Sequence, residues 1–234
     1  LPQSGKTTIF NALTRGRQPV GTSGGRIEVR TAVVDVVDER VDQLARLFKP
    51  EKTTYAKVTY ADFAGLESNS SKNSGARKVI SGQLMNQMSQ MDGFIHVVRC
   101  FVNPTVPHPA GSIDPERDLM TMDEELALCD LIVVERKLER LAEEKKKSVG
   151  RDKSAIERET DLFQRLKLAL ENDIPLRDLE MSPEEEKSLS VFGLLTLKPI
   201  LLLLSLADDQ IPPQTNYPQR KSALLSLQGS LEMD

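Results

Sequence analysis

Apolar residues recur along the chain with two periods, and each stretch commits to one of them. From Ile27 to Val36 the run alternates and is rich in β-branched residues, which predicts a strand. Lys57–Ala61 predicts a second strand. Phe94–Phe101 and Ile200–Leu204 are nearly continuous apolar runs, the pattern of parallel strands buried on both faces. Elsewhere the spacing is helical. Thr8–Leu13 continues as an amphipathic helix. Val41, Leu44 and Leu47 share one face of a helix that Asp38 caps and Pro50 ends. Ile80, Leu84, Met88 and Met91 form a stripe that reads as core.

From Thr121 to Lys147 a long helix runs unbroken by Gly or Pro, and Leu131, Val134, Leu138 and Leu141 step along a seam. A second helix, Ser154–Asn172, offers Ile156, Phe163, Leu166 and Leu170 to the same seam. Together they predict an antiparallel hairpin inserted between strands. Lys145-Lys146-Lys147 at its turn reads as a solvated helix end. Ser182-Pro183-Glu184-Glu185 is a capping box that restarts a short helix. After the Pro-rich stretch ending at Pro218 comes an apolar segment, with Ser226–Gly229 as a loop after the last strand. The fold class is therefore α/β, a mostly parallel sheet interrupted by an α-helical hairpin. The expected segments are 1–120, the hairpin 121–180, and 181–234.

The chain opens on Leu1-Pro2-Gln3-Ser4-Gly5-Lys6-Thr7-Thr8, which reads as all but the first glycine of G-x-x-x-x-G-K-[ST]. In such a loop backbone N–H groups converge on phosphate oxygens, and a glycine such as Gly5 allows close approach. Gln3, Ser4, Gly5, Lys6, Thr7 and Thr8 are the candidate phosphate-binding residues. Lys6 would reach the β/γ-phosphates as the catalytic cation, and the Thr7 hydroxyl would be a ligand of Mg²⁺. The helix that follows adds the attraction of its N-terminus for anions. A strand that should feed this loop does not precede it, so the sequence is expected to be a fragment.

The second predicted strand runs into Asp62-Phe63-Ala64-Gly65, a D-x-x-G. Asp62 could hold a Mg²⁺-bound water, and the Gly65 amide could sense a γ-phosphate. Alone the motif is weak. One strand–helix–strand passage after S-G-K-T-T, it corroborates a phosphate-and-magnesium site. Thr22 or Ser23, in the Gly-punctuated segment 15–26, could reach the metal or the γ-phosphate; a plain loop explains that segment as well. Leu66 stands where Ras-like proteins carry a water-orienting Gln, which predicts slow turnover. Ser68–Ala76 reads as a second, mobile switch.

Composition removes other classes. A net charge of −4 gives no footprint for whole-surface nucleic-acid binding, and no direct DNA binding is expected. Cys100 and Cys129 are too few for a disulfide framework and sit in apolar stretches, which fits a reducing cytoplasm. No apolar run reaches the roughly 18–20 residues of a membrane span. His96 reads as a core histidine, and His108 lies in a loop (104–115) with no second metal-type ligand at useful spacing.

The order of pieces resembles one family. Residues 1–13 (LPQSGKTTIFNAL), 61–66 (ADFAGL), 92–101 (DGFIHVVRCF), 107–115 (PHPAGSIDP) and 175–179 (PLRDL), with a helical hairpin before the Lys198-Pro199 strand, are similar to the Obg-like ATPases, the YchF subfamily of translation-factor-class P-loop GTPases. The likeness implies a Ras-like nucleotide domain interrupted by a coiled-coil domain, with a C-terminal TGS domain absent here. It implies a hydrophobic residue in place of the catalytic glutamine, ATP preferred over GTP, Mg²⁺ as cofactor and association with the ribosome. The family's base-reading motif falls on Ser205-Leu206-Ala207-Asp208. Ser205, Leu206 and Asp208 are the candidates there, although Ser replaces the motif's Asn and the GTPase Lys is missing.

The reading adopted is a slow nucleoside-triphosphatase switch that reports to a ribosomal or protein partner. The alternative is a degenerate nucleotide-binding or scaffold module acting through the hairpin. A P-loop kinase of small substrates ranks below both, because no Arg-rich lid segment is evident.

Overall fold

The computed structural model describes residues 4–16, 28–64, 80–108, 110–147, 153–207 and 222–227. They fall into two compact units, one drawn from residues up to Glu67 and the other from Ser68 onward.

The first unit holds α1 (Lys6–Thr14), β1 (Glu28–Val36), α2 (Glu39–Phe48) and β2 (Ala56–Ala64). The strands form an antiparallel ribbon, in register from Glu28 opposite Ala64 to Val36 opposite Ala56. Both strands fall where the alternation predicts, and β2 runs three residues beyond Ala61, so Asp62 lies inside it. α1 lies against the ribbon and buries Ile9, Phe10 and Asn11. α2 begins as expected: the Asp38 carboxylate accepts from the Arg40 amide at 2.9 Å, satisfying an amide that the first helical turn leaves open. None of its residues is buried, so the predicted apolar face forms but is not covered.

The second unit holds α3 (Gly82–Ser89), β3 (Phe94–Arg99), α4 (Pro115–Lys147), α5 (Lys153–Glu171), α6 (Pro183–Leu189), β4 (Ile200–Ser205) and β5 (Ser222–Leu227). The strands form a parallel sheet in the order β3-β4-β5. Ser226 and Leu227, expected in a loop, complete the β4–β5 ladder instead. α6 carries the full capping box: Glu185 N donates to Ser182 Oγ, and the Glu185 carboxylate accepts from Ser182 N.

α4 begins six residues earlier than its apolar pattern suggests. Pro115 sits in the first turn, where its missing N–H is harmless, and the Asp114 carboxylate accepts from Arg117 N at 3.1 Å. α4 and α5 pack antiparallel, as their cross-links record. Glu135 meets Lys167 at 2.8 Å and Lys145 meets Glu157 at 3.1 Å, so numbers rise along one helix as they fall along the other. Val134, Leu141, Ile156, Phe163, Leu166 and Leu170 close the seam, with Leu131 and Leu138 packed against it. The first half of α4 serves the sheet instead, where Leu119 packs with Val98, Cys100, Leu202, Leu204 and Leu206. One helix thus belongs to two layers.

Candidate functional site

The turn into α1 leaves its amides without a side-chain cap. Gly5 sits at φ 94°, a left-handed conformation that side-chain-bearing residues avoid, and α1 starts at the next residue. Ile9 N already donates to Gly5 O at 3.0 Å, so the helix is regular from its first turn. No side chain caps this end and no acidic residue lies in the first turn. An uncapped N-terminus is an attractive position for negative charge. Ser4 is fully buried beside the turn, Lys6 and Thr7 are half-buried, and Thr8 is exposed.

Asp62 meets this turn. The Thr7 hydroxyl donates to Asp62 Oδ2 at 2.9 Å across 55 residues of chain. The carboxylate is buried near the end of β2. A hydroxyl and a carboxylate in contact are hard oxygen donors of the kind Mg²⁺ takes, usually with water and phosphate oxygens in its other positions. The residues present therefore fit the ion. No group of three or more His, Cys, Asp and Glu assembles a metal site among the described residues.

Gln3, Gly65 and Asp208 lie outside the described residues, as do Leu66 and the switch candidates Thr22 and Ser23. Ser205 ends β4, and its carbonyl accepts from Cys100 N at 2.8 Å. Leu206 turns its side chain into the core with Val98, Cys100 and Leu119, which leaves only its backbone for a ligand. Ser205 and Leu206 belong to the second unit, whereas Lys6, Thr7 and Asp62 belong to the first.

Both histidines are buried. His108 has a partner that its loop context hid: Nε2 lies 3.0 Å from Asp118 Oδ2, ten residues on, while Nδ1 accepts from Ala110 N at 3.2 Å. Arg117 holds the other oxygen of Asp118, at 2.9 Å, so the pair and the arginine strap the loop to the start of α4. Burial pushes the thiols of Cys100 and Cys129 up to about 11, which leaves both protonated and unreactive at neutral pH.

Asp130 is the group the pattern concealed. It lies on α4 between Leu126 and Val134 and is 1 % exposed. Its carboxylate accepts from Leu195 N and Thr196 N at 2.7 Å each and from the Thr196 hydroxyl at 2.6 Å. Burial pushes its pKa up to about 6, against the pull of those three donors and of the Lys198 charge. A charged residue on the apolar face of a helix was the available signal.

No helix among the described residues is long and apolar enough to cross a membrane. No family model matches the chain. The chain is 36% identical over 210 residues to the ribosome-binding ATPase YchF of Escherichia coli O157:H7, covering 89% of this chain and 56% of that protein. It is 32% identical over 212 residues to the protein of the same description from Bacillus subtilis strain 168, covering 90% and 56%. Among solved structures, the Schizosaccharomyces pombe YchF GTPase superposes with a TM-score of 0.66 at 29% identity, covering 89% of this chain and 55% of that one. The chain thus spans just over half the length of the curated relatives it matches. Along those matched residues the chain is similar to the proteins described as ribosome-binding ATPase YchF and YchF GTPase.

Proposed function

We propose that this chain carries the nucleotide-binding part of a slow P-loop nucleoside-triphosphatase of Ras-like fold, a switch that prefers ATP to GTP and works with the ribosome in the cytoplasm. The observation that carries the reading is the hydrogen bond from Thr7 to Asp62 at the head of an uncapped helix whose preceding glycine is left-handed. A loop, a helix N-terminus and a carboxylate that are far apart in sequence converge as triphosphate binding requires.

In this reading Gln3 to Thr8 cradle the phosphates with backbone amides, and Lys6 places its cation on the β/γ oxygens. Thr7 and Asp62 would hold Mg²⁺, which when bound would neutralise charge that develops on the phosphate oxygens. The Gly65 amide senses the γ-phosphate. Leu66 offers no hydrogen bond to an attacking water, which accounts for slow hydrolysis. Ser205, Leu206 and Asp208 are the candidates for reading the base; since the Leu206 side chain is committed to the core, its contribution would be through backbone groups. The helical hairpin, taken as 121–180, interrupts the nucleotide domain formed by 1–120 and 181–234. The ribosome enters because curated relatives are named ribosome-binding ATPases.

Burial of Leu206 and the Ser at position 205 also favour a second reading, a scaffold module that binds nucleotide weakly and acts through the hairpin. Calorimetry on the full-length protein separates the two. The first reading expects tight Mg-ATP binding, weaker Mg-GTP binding, and loss of both in Lys6→Ala. Equal affinity of wild type and Lys6→Ala would overturn it, and turnover no faster than the solvent blank would favour the scaffold.

A further inference from the structure

We propose that Lys198, Asp130 and Gly93 set the register of β4 and so decide which side chain of Ser205-Leu206 faces away from the core at the end of the sheet. This makes them positioning residues for base selectivity. The selectivity rests on the nucleotide-binding reading above; the register does not. β4 reads Ile200-Leu201-Leu202-Leu203-Leu204-Ser205, and both of its faces are covered. Ile200, Leu202 and Leu204 on one face and Leu203 on the other are at most 3 % exposed. A strand usually holds its register because a slip of one residue carries its apolar set to the wrong face. Here a slip exchanges one leucine for another at the inner positions, so the interior of the strand does not resist it. The difference falls at the end. Ser205 would enter the place of Leu204, which is fully buried, or that of Leu206, which packs with Val98, Cys100 and Leu119.

The register is written instead at the entry to β4, where polar groups fit in one position. Lys198 Nζ donates to Ser89 O at 2.7 Å and to Met91 O, at the turn that leads from α3 into β3. Phe94 N donates to Pro199 O at 3.0 Å, the first rung between the strands, and Cys100 N donates to Ser205 O at 2.8 Å at the far end. A Cβ on Gly93 would stand 3.1 Å from the Pro199 carbonyl oxygen, so glycine is what lets the two chains approach at that first rung. From α4, the buried Asp130 takes the amides of Leu195 and Thr196 at 2.7 Å each. α4 is itself fixed to the sheet through Leu119. A slip of one residue moves a strand by about 3.3 Å. It would draw the Lys198 ammonium off both carbonyls and leave the Asp130 carboxylate without its amides. Buried polar and charged groups are costly to leave without partners, so the entry holds what the leucines cannot.

The test uses two readouts on the full-length protein. Ile95 and Leu201 are partners across the β3–β4 ladder, Ile95 exposed and Leu201 half-buried. With Ile95→Cys and Leu201→Cys in place, a short thiol cross-linker joins the strands. Ile200→Cys and Leu202→Cys, on the opposite face, give no product with position 95. Adding Lys198→Met or Asp130→Asn lowers the 95–201 product severalfold and brings up a product from 95 to 200 or 202. Gly93→Ala, which presses on the same entry, gives that result where either of the others fails to fold. Calorimetry without the cysteines reads the consequence. The ratio of Mg-ATP to Mg-GTP affinity moves toward one by roughly fivefold, the worth of about one net hydrogen bond. Affinity for Mg-tripolyphosphate, which carries no base, is unchanged. An undiminished 95–201 product in the folded variants overturns the register lock. A loss of affinity shared equally by all three ligands overturns the positioning role. Wild type that binds neither nucleotide overturns the nucleotide-binding reading and the selectivity with it, while the cross-links still decide the register.

Discussion

α2 and α5 are both amphipathic helices with correctly placed apolar residues, and they end in opposite situations. α5 buries Ile156, Leu162, Phe163, Leu166, Ala169 and Leu170 against α4 and the elements around it. α2 buries nothing, and Leu47 and Phe48 are each 73 % exposed. Periodicity dictates that a helix forms and which face is apolar; it does not name what covers that face. The second unit derives its order from an aliphatic seam and a buried polar knot. The first unit concentrates its specificity in a few residues where α1 meets β2, and these are the ones with chemistry to offer.

Substitutions sharpen this contrast. The largest loss is expected for Phe163→Ala, which removes a ring packed edge-to-face on Phe192 with centroids 5.0 Å apart. It should cost about 3–5 kcal/mol, read from urea unfolding. Asp130 gives the contrast a pH dependence. Its folded pKa, about 6, stands above the ordinary 3.8, so the folded state binds this proton more readily than the unfolded chain. Its contribution to stability therefore grows as pH falls from about 6 toward 4 and is lost as pH rises through 6, a swing of roughly 3 kcal/mol at most. Unfolding of wild type and Asp130→Asn between pH 7.5 and 4.5 checks the sign, because the variant lacks this component. Gly5→Ala forces a side chain into the left-handed region and should cost about 1–2 kcal/mol; it should also weaken Mg-nucleotide binding, read by calorimetry. Phe48→Ala, on the uncovered face of α2, should change stability by no more than about 0.5 kcal/mol. A cost like that of Phe163→Ala would mean that α2 has a partner after all.

Much of this was legible in the chain, for reasons that differ from element to element. The ribbon strands follow from β-branched alternation, β3 and β4 from continuous apolar runs, and the helix pair from the seam of Leu131, Val134, Leu138 and Leu141. Asp38 and Ser182 mark helix starts because capping is local chemistry, written within four residues. Long-range chemistry was harder to read. That Thr7 meets Asp62 could be expected only from the order of two short motifs. The pairing of His108 with Asp118 had no such guide, because the loop between them sets the geometry. The start of α4 at Pro115 was hidden by reading a Pro-containing stretch as loop to its end. Asp130 shows only as a charged residue on the apolar face of its helix; its partners, the amides of a turn 65 residues away, are not written locally.

The central claim is that Thr7 and Asp62 form one magnesium-and-phosphate site at the head of α1. The most direct test is the magnesium dependence of ATP affinity in the full-length protein, measured by calorimetry for wild type and Asp62→Ala. The account predicts that wild type binds ATP more tightly with Mg²⁺ than with a chelator, and that Asp62→Ala, still folded, loses this difference. An Asp62→Ala protein with the full magnesium dependence of wild type would contradict it.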